Sequence, residues 1–357
     1  MAYNILGITP GHNGSIALIS DGELVYYLEE ERLSKVKKDS SPFLTLQYII
    51  NNYKIDEIAL SGAGKQSPTL VHTSNDLYYE IIRKYYPKVK LTSFENNHHG
   101  CHSSIAFYNS GFKTALGVVI DAQGSSFNYK DNIIFETDSI YSCTYPNILN
   151  PVFKNFLSNS YKETTNYLNI SPYFSIGKSY ELISNYLGFI EEEGKTMGLS
   201  SYGKPTLNNL DFYLENFFNP NLILTDKENP TNYTGNFSNP SNLSKTDIAW
   251  KLQNETQQLV GNYIEKYTKK TNQTQVVCSG GYFLNCVSNY YLVKRFPKLK
   301  FYFEPISHDG GTSIGAAMLR WREYSKDFTI KKQKSLYYGP LYSKEQLLEG
   351  IKKYVSN

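Results

Sequence analysis

The sequence predicts an α/β protein of two lobes, each organised around its own sheet, and three observations carry that prediction. The N-terminus reads strand, small-residue turn, strand: Tyr3-Asn4-Ile5-Leu6-Gly7-Ile8, a turn from Thr9 to Gly14, then Ser15-Ile16-Ala17-Leu18-Ile19. After the turn Ser20-Asp21-Gly22 comes Glu23-Leu24-Val25-Tyr26-Tyr27, so the segment reads as an antiparallel meander. The same order returns at Thr114 to Ile120, with the turn Asp121-Ala122-Gln123-Gly124-Ser125-Ser126, the strand Phe127-Asn128-Tyr129, and Asn132 to Glu136. Finally, 357 residues suffice for two units of about 100–200 residues each.

The remaining elements follow in chain order. Leu44 to Asn52 and Ser74 to Tyr85 read as helices, with the strand Glu57-Ile58-Ala59-Leu60-Ser61 between them. Ile176-Gly177-Lys178-Ser179-Tyr180-Glu181 opens a helix that runs to Phe189, with Gly188 at its C-terminal end. Glu193 to Gly203 contains Gly194, Gly198 and Gly203, too many glycines for a helix interior, and is read as a binding loop. Residues 207–244, rich in Asn, Pro, Thr and Ser, have the composition of an irregular insertion. Thr246-Asp247 then cap a core-packing helix from Ile248 to Tyr267. Val276-Val277-Cys278-Ser279 is a buried strand that ends in Gly280-Gly281 before a helix containing Asn285. Asp309-Gly310-Gly311-Thr312 precedes the small-residue helix Ser313 to Ala317. Two facing lobes whose first turns are small enough to admit a phosphate have the plan of the duplicated actin-like, sugar-kinase-like (ASKHA) fold. The expected division is 1–112 for the first lobe, 113–335 for the second, and 336–357 for a C-terminal segment.

Charge excludes some partners. With 36 Lys+Arg against 33 Asp+Glu and a pI near 8.3, the surface lacks the strong positive excess of a nucleic-acid binder. Cys101, Cys143, Cys278 and Cys286 form no C-x-x-C pair, and the start of the chain runs into a strand rather than a leader, which leads us to expect a reducing, cytoplasmic setting. No apolar run reaches the ~20 residues needed to span a bilayer.

The densest chemical signal is His98-His99-Gly100-Cys101-His102. Three of six histidines fall within five positions, and on a helix His98 and His102 stack on one face. Asp309 offers a third ligand, and two His with one Asp leave coordination positions open. A polar helix end with incidental histidines is the competing reading. For a nucleotide, Gly280, Gly281 and Asn285 are assigned to the nucleoside side. Glu181, on the helix opened by Gly177, is assigned to the ribose, and Glu193, Gly194 and Gly198 to the phosphate. Lys195 either steadies that phosphate or is a solvated loop lysine.

Taken together, Ile5-Leu6-Gly7-Ile8 with His12-Asn13-Gly14-Ser15, Glu29-Glu30-Glu31-Arg32-Leu33 with Lys37-Lys38-Asp39, the histidine cluster, Glu193-Gly194-Lys195-Thr196-Met197-Gly198-Leu199, Gly280-Gly281-Tyr282-Phe283-Leu284-Asn285 and Asp309 to Ala317 resemble the nodulation/antibiotic-type O-carbamoyltransferases (the NodU/CmcH family). The resemblance implies transfer of a carbamoyl group, carried as carbamoyl adenylate made with ATP, onto an acceptor hydroxyl. It implies one metal ion, iron (Fe2+) before other divalent ions, held by His98, His102 and Asp309, with His12 as the base. Glu30, Glu31 and Arg32 are expected to brace the cleft by ion pairing. A small-molecule acceptor is favoured over a modified nucleotide or nucleic-acid base. Relatives continue after Tyr338-Gly339-Pro340 into a YrdC-like domain, so a YrdC-like partner protein or domain is expected, or a homodimer that passes the adenylate between copies. Two positions depart from the family pattern: His12-Asn13 stands for His-Asp, and His308-Asp309 for Gly-Asp. The alternatives are a non-catalytic nucleotide-binding scaffold and a metallopeptidase, the latter disfavoured because the H-E-x-x-H glutamate is absent.

Overall fold

The computed structural model describes residues 2–62, 71–158, 161–171, 175–204, 244–325, 329–333, 335–339 and 342–355. The expected insertion over 207–244 lies outside the described residues apart from Ser244. The first sheet is built from β1 (Asn4–Thr9), β2 (Ser15–Ser20) and β3 (Glu23–Glu29), followed by α1 (Glu31–Ser34), α2 (Phe43–Asn52), β4 (Glu57–Leu60), α3 (Val71–Tyr85) and β5 (Lys90–Ser93). Its order is β3-β2-β1-β4-β5, with β1 antiparallel to β2 and parallel to β4. Next come α4 (His98–Ser110), β6 (Thr114–Ile120), β7 (Ser126–Tyr129), β8 (Asn132–Thr144), β9 (Ile148–Ser158), β10 (Glu163–Thr164) and β11 (Leu168–Ser171). They are followed by α5 (Ile176–Leu187), α6 (Glu193–Ser200), α7 (Lys245–Thr271), β12 (Gln275–Ser279), α8 (Cys286–Arg295), β13 (Lys300–Phe303), α9 (Thr312–Tyr324) and α10 (Lys344–Val355). The second sheet contains the run β9-β8-β6-β12-β13, which repeats the first sheet's order strand for strand. The duplicated, two-lobed actin-like fold expected from the sequence is the one observed.

Three local expectations are corrected. The partner of β6 is the later half of the long strand β8, with Ile120 opposite Asp138, whereas Phe127–Tyr129 lies in β7 and pairs only with the start of β8. The stretch read as a glycine-rich loop is helical over Glu193–Ser200. Gly194 and Gly198 each cost α6 up to ~1 kcal/mol of propensity, but packing on α7, with Thr196 and Ser200 buried, overrides that cost. The Ser244 hydroxyl, not Thr246, caps α7 by accepting from Asp247 N, with Asp247 itself in the first turn.

Both sheets are covered on both faces, which explains their nearly continuous apolar runs. Leu6 and Ile8 pack with Leu46 and Ile49 of α2 and Ile82 of α3, while Ile5 turns the other way toward Ala316 and Ala317 of α9. In β6, Leu116, Val118 and Ile120 face α5 and α7, and Ala115 and Val119 face Ala106 and Phe107 of α4. So α4, which follows the first sheet in the chain, lies on the second, and α9, which follows the second, lies on the first. The two helices also pack on each other. These packings require missing side chains: where α4 and α9 cross, a Cβ on Gly315 would fall inside the Cys101 carbonyl, and where α9 lies on β1, one on Gly7 would fall inside that of Ser313. Among the described residues no helix is long and apolar enough to cross a membrane. All four cysteines are free thiols.

Candidate metal centre

The crossing of α4 and α9 places the candidate ligands. Asn97 precedes α4, whose first turn presents His98 and His102 one above the other, both fully buried. Opposite them, the turn His308-Asp309-Gly310-Gly311 enters α9; His308 Nδ1 accepts from Gly310 N at 3.1 Å and holds that turn. A fourth donor, Asp121 at the end of β6, was read from sequence only as a turn residue. The ligand atoms of His98, His102, Asp121 and Asp309 all lie within 4.8 Å of one another. His98 Nε2 is 3.1 Å from His102 Nε2, 3.5 Å from Asp309 Oδ1 and 3.5 Å from Asp121 Oδ2; His102 Nε2 is 3.4 and 3.9 Å from the same two oxygens.

These spacings fit an ion at the centre. Four donors at about 2.0–2.2 Å from one ion are separated from one another by roughly 3.4 Å if tetrahedral, and less at the right-angled edges of an octahedron. The four nitrogen–oxygen spacings, 3.4–3.9 Å, are long for direct hydrogen bonds, while the two imidazole nitrogens at 3.1 Å are within hydrogen-bond reach of each other. The electrostatics point the same way. Burial opposes a charge on His98, yet the carboxylates of Asp309 and Asp121 overcome it and raise its imidazole to about 10. Burial likewise opposes ionisation of Asp309, and the two imidazoles hold it well below the ordinary carboxylate range. Buried Asp121 and partly buried Asp309 together carry more negative charge than a proton on His98 offsets, a charge that a divalent cation would meet.

The surroundings fix the donors. His102 Nδ1 is 3.3 Å from Ser279 Oγ at the end of β12, and Ser125 Oγ accepts from His98 N while donating to Glu95 O. His99 points elsewhere: it is buried, its basicity is pushed well down by burial, its Nδ1 is 2.8 Å from Ser139 Oγ, and its ring fills the space where a Gly124 side chain would sit.

Some assigned residues gather here and others do not. Gly280 has φ +96°, where a Cβ would run into the Ile120 carbonyl, and a Cβ on Gly281 would come within 3.4 Å of Asp121 Oδ1. Gly177 packs its backbone on Asp121 in the same way. The double glycine and the head of α5 thus border the cluster. Glu181 pairs with Lys178 at 2.8 Å. Asn285 is the N-cap of α8, accepting from Ser288 N, and its amide is committed to Gln253 and Tyr180 in a buried network. Gly194 and Gly198 face open space, and Lys195 is exposed and paired with Glu192. Glu193 lies in the first turn of α6. His12 is exposed in the first turn of the chain. Glu30 does not brace the cleft by an ion pair: its carboxylate accepts from Leu44 N, Thr45 N and Thr45 Oγ1, capping α2, while Glu31 pairs with Arg32 at 3.3 Å.

A family model described as carbamoyltransferase N-terminus matches residues 50–318, three quarters of the chain. The chain belongs to this carbamoyltransferase family. It is 28% identical to an uncharacterised protein of Methanocaldococcus jannaschii over 92% of this chain and 54% of that protein. It is 22% identical to the nodulation protein NolNO of Sinorhizobium fredii over 95% of this chain and 50% of the relative. This carbamoyltransferase-family chain thus spans about half the length of the curated relatives it matches. Among solved structures it is similar to full-length HypF in its phosphate- and nucleotide-bound form, with a TM-score of 0.54 at 13% identity, over 90% of this chain and 55% of that one. Similarity to HypF of T. kodakarensis gives a TM-score of 0.55 at 12% identity, over 90% and 48%. At these identities the likeness establishes the fold.

Proposed function

We propose that this chain carries the transfer site of a metal-dependent O-carbamoyltransferase that moves a carbamoyl group from carbamoyl adenylate to an acceptor hydroxyl. The observation that carries this reading is the four-donor cluster of His98, His102, Asp121 and Asp309, in a chain of the carbamoyltransferase family, bordered by backbone bare of side chains at Gly177, Gly280 and Gly281. A divalent ion held by those four, iron by family resemblance, supplies Lewis acidity toward a carbonyl oxygen.

The chain's own residues do the rest. Gly281, where a Cβ would meet only Asp121 Oδ1, lets a nucleotide approach the backbone beside Asp121, and Gly280 shapes that turn by packing on Ile120; the head of α6 at Glu193, Gly194 and Gly198 lies on the phosphate side, with Lys195 available to it once released from Glu192. Glu181 is the ribose candidate, while Asn285 acts by holding the double-glycine turn and α8 in place. His12 takes the proton of the acceptor hydroxyl as its oxygen bonds to the carbamoyl carbon and the bond from that carbon to the phosphate oxygen breaks, releasing AMP; base catalysis of this kind contributes about 10²–10⁴-fold. Burial of the cluster keeps water from competing for the mixed anhydride.

The test supplies carbamoyl adenylate from ATP and carbamoyl phosphate through a YrdC-like enzyme and follows carbamate ester and AMP. Faster AMP release with the chain than without it, abolished by His12→Ala with AMP affinity retained, is the expected result. Adenylate binding without turnover would favour a nucleotide-binding scaffold. Transfer from ATP and carbamoyl phosphate by the chain alone would remove the need for a YrdC-like partner.

A further inference from the structure

Beside the metal cluster lies a group of side chains that the proposed transfer does not use. Glu29 ends β3, buried, in register opposite Ser15, whose hydroxyl donates to Gly310 O at 2.7 Å and so ties this end of the first sheet to the Asp309 turn. Tyr27 OH donates to Glu29 Oε1 at 3.2 Å, and His308 Nε2 lies 3.6 Å from the same oxygen. Because His308 Nδ1 accepts from Gly310 N, the neutral ring carries its proton on Nε2, facing Glu29. Gly310 keeps the three together, since a Cβ there would meet His308 Cε1 at 2.8 Å and Tyr27 OH at 2.9 Å. The Tyr27 and His308 contacts both fall on Oε1, and among the described residues no hydrogen bond to Glu29 Oε2 accompanies them. The group adjoins the metal cluster: His308 directly precedes Asp309 and holds its turn through Gly310 N.

We infer that Glu29 and His308 form an acceptor subsite that reads a hydroxyl other than the one that is carbamoylated. This inference rests on the transfer reading above. A carboxylate oxygen that only accepts, beside an imidazole N–H that only donates, matches a hydroxyl, which does both. The hydroxyl read here is not the reacting one, whose single proton goes to His12. The subsite therefore selects acceptors with more than one hydroxyl over simple alcohols. Glu29 touches the acceptor; Tyr27 and Gly310 act as positioning residues through Glu29 and His308. Held by Tyr27 and the backbone, the pair is organised before the acceptor arrives, and a single lost hydrogen bond to a charged group changes selection by roughly ten-fold or more.

The test offers the 357-residue chain, with Fe2+ and carbamoyl adenylate supplied as above, glycerol and 1-propanol together in excess, and quantifies both carbamate esters. Wild type should favour glycerol at least ten-fold after correction for its number of hydroxyls. Glu29→Gln and His308→Ala should bring that ratio close to one, and His308→Gln, which keeps a donor near the Nε2 position, should recover much of it. An equal ratio in wild type, or an unchanged ratio in both Glu29→Gln and His308→Ala, overturns the subsite while transfer stands. AMP release with neither alcohol carbamoylated also overturns it. No AMP release above the buffer rate overturns the transfer reading itself.

Discussion

Two glycine-rich regions of this chain are built on opposite principles. Around the metal cluster, glycines mark places where backbone meets backbone: Gly7 on Ser313, Gly177 on Asp121, Gly280 on Ile120, Gly311 on Ile306 and Gly315 on Cys101. On α6, a Cβ at Gly194 or Gly198 would meet nothing within 4 Å. The first set is needed for the fold to close, and the second is free in the fold. The contrast separates a rigid end, where four donors converge, from an accommodating end assigned to the adenylate.

Substitutions can break this comparison. The largest effect is expected at Gly280, where valine would combine a left-handed φ of +96° with collision against the Ile120 carbonyl. Strain and overpacking each cost about 1–3 kcal/mol, so Gly280→Val should lose several kcal/mol or fail to fold in urea titration. Its neighbour sharpens the point. A Cβ at Gly281 sits at an ordinary 3.4 Å from Asp121 Oδ1, so Gly281→Val should stay folded yet bind AMP at least ten-fold more weakly by calorimetry. Equal AMP affinity would remove the double glycine from the nucleotide site.

A pH test addresses the rigid end away from the ligands. Burial raises the Glu304 carboxyl to about 7, against hydrogen bonds from Asn109, Ile306 N and Tyr302. Its folded value lies above its unfolded one, so the folded state holds more protons between roughly pH 4.5 and 7. Stability from this group is complete below that window and is lost as pH rises through it, at up to about 1.4 kcal/mol per pH unit. Urea midpoints from pH 5 to 8 should fall less steeply in Glu304→Gln than in wild type; parallel curves would contradict the assignment. The smallest effect belongs to α6, where Gly198→Ala should stabilise by about 0.5–1 kcal/mol because the site is helical and open. A loss of AMP affinity in that same stabilised variant would tie Gly198 to the ligand.

The comparison also explains what could be read from sequence. The meander β1-β2-β3, the histidine pair and the Asp309 turn were legible because each is a local pattern: alternation, an i,i+4 spacing, a glycine turn before small residues. Asp121 was not, since an aspartate ending a strand looks like any turn former until α4 is laid against β6. The exchange of α4 and α9 between sheets is a tertiary fact with no local signature. The bulges at Glu136/Asp138 and Ile140/Tyr141 hid the length of β8 and thus the true partner of β6. On α6 the glycine count misled, because packing on α7 outweighed propensity.

The central claim, that His98, His102, Asp121 and Asp309 form one metal centre, is tested most directly by elemental analysis of purified chain after dialysis against Fe2+. Wild type should retain about one ion per chain, Asp121→Asn should hold it at least ten-fold more weakly, and His98→Ala with His102→Ala should retain none. Equal metal content in wild type and the double variant would contradict the account.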